Sequence, residues 1–76
     1  MNAKRRKELQ KISGLLSEAY ARLEEIKDEE NECFDNIPEN LQGSERYNRA
    51  EEIVGLLDEA FDNIEEAISN IDKAVE

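Results

Sequence analysis

From Ala50 to Val75 the chain places an apolar residue every three or four positions on two adjoining helical stripes, and acidic residues fill many of the positions between them. One stripe runs Ala50, Ile53, Leu57, Ala60, Ile64, Ala67, Ile71 and Ala74; the other runs Val54, Leu57, Phe61, Ile64, Ile68, Ile71 and Val75. Alternating steps of three and four specify a helix that packs on other helices, and two stripes sharing Leu57, Ile64 and Ile71 make a face wider than one neighbour covers. The chain supplies one other long helix. The first stripe is therefore expected to close an intramolecular pair, and the second, Val54, Leu57, Phe61, Ile64, Ile68, Ile71 and Val75, to be the self-association surface.

The first half carries a single seam: Leu9, Ile12, Leu16, Ala19, Leu23, Ile26, Cys33 and Ile37, with Glu30 as its polar interruption and Leu15, Tyr20 and Phe34 beside it. Gly14 lies inside this pattern and costs about 1 kcal/mol relative to Ala in an exposed helix interior. The periodicity stops at DNIPENLQGSERY, residues 35 to 47. Pro38 lacks an amide proton and disfavours a helical residue before it, which ends the first helix near Asp35 or Asn36. Asn36 is expected to cap one short turn that Gly43 ends in a left-handed conformation, and Ser44 to cap the second helix with Glu45 in its first turn. The expected fold is all-α: one antiparallel two-helix hairpin domain, coiled-coil-like, with helices at 3–35 and 44–75, a turn at 36–43, and dimerisation into a four-helix bundle.

A chain of 76 residues buries only about 60% of the surface its unfolded form exposes, and self-association is a common remedy. The aromatics are Tyr20, Phe34, Tyr47 and Phe61, with no Trp, so Ile, Leu, Ala and Val must build the core. Two such helices struggle to enclose the several hundred cubic ångströms, roughly 300 or more, of a small-molecule pocket. The chain also has no His, which removes His-assisted nucleophilic catalysis, the carboxylate-plus-His di-iron pattern and the usual zinc sites. No enzyme, cofactor or metal site is expected.

Charge is distributed unevenly. Residues 1–27 hold seven basic against four acidic residues, a net of +3, and residues 28–76 hold three basic against sixteen acidic, a net of −13, which together make the total of −10. In an antiparallel hairpin the basic start, Lys4 to Lys11, lies beside Glu65, Glu66, Asp72 and Glu76, so part of the asymmetry is expected to be satisfied within the molecule. The KRRK run at residues 4–7 has no aromatic or glycine interleaving, and direct nucleic-acid binding is not expected. Adjacent acidic pairs such as Glu51/Glu52 and Asp58/Glu59 point about 100° apart on a helix and lack a calcium-loop pattern. They read first as a solvated face. A sharper reading is that carboxylates on a rigid rod imitate duplex phosphates, spaced at one charge per ~1.7 Å of axis, and occupy the groove of a basic protein. Cys33, a lone cysteine, excludes a disulfide framework and is expected to be a small packing residue. With no long apolar run, and with Asn rather than Gly at position 2, no signal peptide, membrane span or N-myristoylation is expected and the cytoplasm is the expected location.

The stretch CFDNIPENLQGSERYNRAEEIVGLLDEAFDNIEEAISNID, and within it Asn36-Ile37-Pro38-Glu39-Asn40-Leu41-Gln42-Gly43-Ser44-Glu45-Arg46, resembles a family of small acidic proteins encoded by phages, prophages and related mobile elements of Firmicutes. The similar part spans Glu29 to about Asp72, and Lys4 to Lys7 lie outside it. The resemblance implies origin and shape, and through that origin an accessory protein that works by contact, such as an inhibitor of a host nucleic-acid-binding or defence protein in the bacterial cytoplasm. The expected contact residues are Pro38, Glu39, Asn40, Leu41, Gln42 and Arg46 of the turn with Glu51, Glu52, Asp58 and Glu59 of the acidic face. The alternative is a structural protein whose function is its own assembly.

Overall fold

A computed structural model describes all residues from Met1 to Glu76. It contains two long helices, α1 (Ala3–Asp35) and α2 (Glu45–Ala74), with a 3-10 turn at Glu39–Leu41 between them and no strands. The ends form where local chemistry favours them. The Asn2 side chain accepts a hydrogen bond from the Arg5 amide at 2.8 Å, and Ser44 Oγ accepts one from the Tyr47 amide at 3.2 Å, so each helix has an oxygen on its otherwise unpaired N-terminal donors.

The connection differs from expectation in one respect. Asn36 does not cap the 3-10 turn; it ends α1, its amide donating to the Glu32 carbonyl at 3.1 Å, and Pro38 with its fixed φ of −59° leads into the turn. Gly43 adopts φ 93°, the left-handed conformation that lets the chain turn back, and Ser44 Oγ donates to the Leu41 carbonyl at 2.7 Å while it caps α2. One hydroxyl thus fastens the turn to the helix that follows.

The helices pack antiparallel in a register marked by three polar contacts. Ser13 Oγ donates to Asp72 Oδ1 at 2.8 Å, Tyr20 Oη to Glu65 Oε2 at 3.3 Å, and Lys27 Nζ pairs with Asp58 Oδ1 at 3.5 Å. Each step of seven along α1 is matched by a step of seven back along α2, the repeat of two helices in coiled-coil contact. Aromatic pairs follow the same register: Tyr20 stacks on Phe61 with centroids 4.1 Å apart, and Phe34 on Tyr47 at 5.0 Å. Such pairs contribute about 0.5–1.5 kcal/mol each beyond the area they bury. In this register Leu9, Leu16 and Leu23 fall opposite Ile71, Ile64 and Leu57, and all six are half-buried.

Two helices alone leave a thin core. No hydrophobic residue is fully buried, and Ser13 is the one buried side chain in the chain. The molecule is a rod of 59 × 15 × 14 Å with a radius of gyration of 17.3 Å, against the about 11 Å typical of a compact domain of this length.

The glycines separate local from tertiary constraint. A Cβ added at Gly14, Gly55 or Gly43 would meet no atom within 4 Å, but only Gly43 has positive φ. Gly14→Ala and Gly55→Ala are each expected to stabilise the fold by about 0.5–1 kcal/mol, whereas Gly43→Ala is expected to destabilise it by about 1–2 kcal/mol. Urea unfolding followed by circular dichroism checks both signs.

Candidate functional site

Three surfaces bear the residues singled out from the sequence. At the closed end, Asn36, Ile37, Pro38, Leu41, Ser44, Arg46 and Tyr47 line an open depression of about 480 Å³. Pro38, Leu41 and Arg46 are brought together there, while Glu39, Asn40 and Gln42 are exposed on the turn and do not line it. Arg46 also lines a smaller depression with Glu30, Cys33, Phe34, Ile37 and Ala50. Apolar walls thus stand beside the Arg46 guanidinium, which is in no ion pair.

The second surface is the polar flank of the hairpin, where Ser13, Tyr20 and Lys27 meet Asp72, Glu65 and Asp58. Lys27 Nζ also stands 5.0 Å from the Phe61 ring centroid, so its charge is shared between a carboxylate and an aromatic face. Of the four acidic-face residues expected to make contacts, Glu51 and Glu59 are exposed and free of ion pairs. Asp58 is engaged by Lys27, and Glu52 by Arg49 at 3.2 Å on its own helix. The basic start of α1 forms no ion pair with the acidic end of α2, contrary to expectation. Across that end the helices meet instead through Ser13 and Asp72, because Ser13 faces α2 whereas Lys4, Arg5, Lys7 and Lys11 are exposed.

The third surface was assigned differently from sequence. Phe61, placed on the self-association stripe, stacks on Tyr20 inside the hairpin, and its heptad companions Val54, Ile68 and Val75 are half-buried on the same face. Leu57, Ile64 and Ile71 are half-buried as well. The seam of α1 is also rotated: Leu9, Leu16 and Leu23 turn towards α2 together with Ser13, Tyr20 and Lys27, so Ile12, Ala19, Ile26 and Cys33 are left exposed. Cys33 is thus a surface thiol rather than a packing residue. The cause is that Tyr20, with its stack on Phe61 and its hydroxyl on Glu65, buries more when turned inwards than Ala19 would.

Because the helices are antiparallel, turning the same way around each leads to the same side of the rod. Ile12, Leu15, Ala19 and Ile26 of α1 therefore share a flank with Ile53, Leu56, Ala60 and Ala67 of α2. Four of the large exposed hydrophobic side chains lie here, Ile12 at 45%, Leu15 at 66%, Ile26 at 52% and Leu56 at 53%. Ile53, Ala60 and Ala67 beside them are half-buried, so this side of the rod is apolar. The sequence pattern places Leu15 beside the α1 seam and does not single out Leu56, and the side on which they gather follows only from how the helices are rotated.

No helix is long and apolar enough to cross a membrane, and no group of three or more Cys, Asp and Glu side chains is arranged to hold a metal ion. No family model matches the chain, and no curated protein or solved structure matches it.

Partial burial, the charge of Glu65 and the hydrogen bond to it raise the Tyr20 hydroxyl above its ordinary 10.0, with smaller contributions from Glu24 and Asp62. The folded chain holds this proton more tightly than the unfolded chain, so the contribution to stability is complete below pH 10 and is lost as pH rises through the folded-state value. In a Tyr47→Phe background, phenolate absorbance is expected to show Tyr20 titrating above pH 10. Glu65→Gln should lower that midpoint without returning it fully, since burial and the charges of Glu24 and Asp62 remain.

Proposed function

We propose that this chain is a noncatalytic, acidic protein-interaction module, a phage-derived accessory protein that binds and thereby inhibits a basic nucleic-acid-binding or defence protein in the host bacterial cytoplasm. The observation that carries this reading is the lack of internal cations for its carboxylates: of twenty acidic residues, only Glu52 and Asp58 are in ion pairs. An array of unpaired charge on a rod 59 Å long raises the encounter rate with a basic surface and gives it many points of attachment. Glu51 and Glu59 of the expected contact set are in no ion pair, and the depression bearing Pro38, Leu41 and Arg46 offers an apolar anchor at the closed end. Likeness to the phage family, carried by the turn sequence, supports the setting.

The second reading is that self-association is the function, with the hairpin working as a dimeric four-helix bundle. The uncovered apolar flank favours it, because a hairpin with no fully buried hydrophobic residue gains its missing core from another set of helices. The two readings are compatible in one molecule, since the apolar flank and the free carboxylates Glu51 and Glu59 occupy different parts of the surface.

The test is affinity capture from lysate of a susceptible bacterium, followed by titration with the recovered protein. A stoichiometric partner is expected whose binding weakens with salt and is competed by duplex DNA. Glu51→Gln with Glu59→Gln should weaken it about 2- to 30-fold, at roughly 0.2–1 kcal/mol per exposed ion pair. Capture that is indifferent to salt, DNA and these substitutions would sink the acidic-surface reading and leave assembly as the function.

A further inference from the structure

We infer that the open apolar flank is covered by a second copy of this chain, docked with its turn at the opposite end of the rod. The inference rests on the self-association reading and adds the face and the orientation. Three observations carry it.

The first is area. The chain exposes 5993 Å², whereas a folded monomer of its 8.8 kDa mass exposes about 4,800 Å², so roughly 1,200 Å² per chain is in excess. Stable complexes bury about 800 Å² per partner, and obligate homodimers more. The excess surface of one hairpin is therefore enough for a full interface with a second.

The second is the spacing of the flank itself. Arg5, Ile12, Ala19, Ile26 and Cys33 recur every seven residues along α1, and Ala19 is the midpoint of the helix Ala3–Asp35. A two-fold axis across the rod sets Ala19 against the partner's Ala19 and Ile12 against the partner's Ile26, so small meets small and large meets large. The same surface then serves both copies, as a two-fold interface requires. Arg5 is carried to the partner's Cys33, about one helical turn from its Glu29 and Glu30, and it has no ion pair within its own chain.

The third is charge, which selects this orientation over the parallel one. The half of the rod near the turn, residues 20–59, holds four basic and thirteen acidic residues, a net of −9; the half near the termini, residues 1–19 and 60–76, holds six basic and seven acidic, a net of −1. Docking with both turns at one end sets −9 against −9. Opposed turns set −9 against −1, twice over, and bring the unpaired lysines and arginine of the α1 start to the partner's acidic turn.

Sedimentation equilibrium at micromolar concentration is expected to give twice the 8.8 kDa chain mass, and Ile26→Lys to shift the protein to monomer. In a Cys33→Ser background, Ala19→Cys is expected to form a disulfide-linked dimer on mild oxidation, because only opposed turns bring the two positions together on the axis. A monomer at these concentrations overturns the self-association reading with it. A dimer in which Ala19→Cys fails to cross-link, or in which Ile26→Lys leaves the mass unchanged, overturns this face and orientation alone. None of these outcomes depends on whether a basic host protein binds.

Discussion

Two helices in contact can cover only one arc of each other, and that geometric limit governs the rest of this molecule. The arc between α1 and α2 is filled by Leu9, Leu16 and Leu23 against Ile71, Ile64 and Leu57, yet every one of these side chains keeps part of its surface in water. A third layer would be needed to seal them. The hairpin is accordingly defined by pairing between helices rather than by an enclosed interior, and the absence of any fully buried hydrophobic side chain follows from its architecture.

Within that limit, a few polar and aromatic side chains decide how each helix is rotated. Ser13, Tyr20, Lys27 and Phe34 share one heptad position, and each finds a specific partner on α2: Asp72, Phe61 with Glu65, Asp58, and Tyr47. Their contributions to stability are modest, since exposed ion pairs and hydrogen bonds are largely offset by lost contacts with water. Their contribution to specificity is larger. A rotation that buried Ile12, Ala19 and Ile26 instead would separate the Tyr20 ring from Phe61 and leave Asp58, Glu65 and Asp72 without their partners.

That choice of rotation sorts the surface into regions of different chemistry. One flank carries the hydrogen-bonded and ion-paired residues; the other gathers Ile12, Leu15, Ile26 and Leu56 in the open; and the closed end presents Arg46 within an apolar rim. The same rotation leaves the basic start of α1 without internal ion pairs. Apolar area lies on one side and unpaired charge elsewhere.

The residue pattern by itself determined the all-helical hairpin. Apolar spacing marked both long helices, Pro38 stopped the first, Ser44 started the second, and the brevity of the link forced them antiparallel; all of these are local signals that act within a few residues. It also placed Gly43 at the left-handed position, because the turn needs a residue without a Cβ there. Only the tertiary structure decided which arc of each helix faces inwards. The apolar residues of both helices span an arc wider than one neighbour covers, so hydrophobicity alone permits more than one rotation. Cross-helix contacts between residues 45 or more apart, Tyr20 with Glu65 and Ser13 with Asp72, resolve it. Hence Phe61 went to the hairpin and Ile26 to the surface. The distinction turns on pairing in space, which no periodicity within a single helix records.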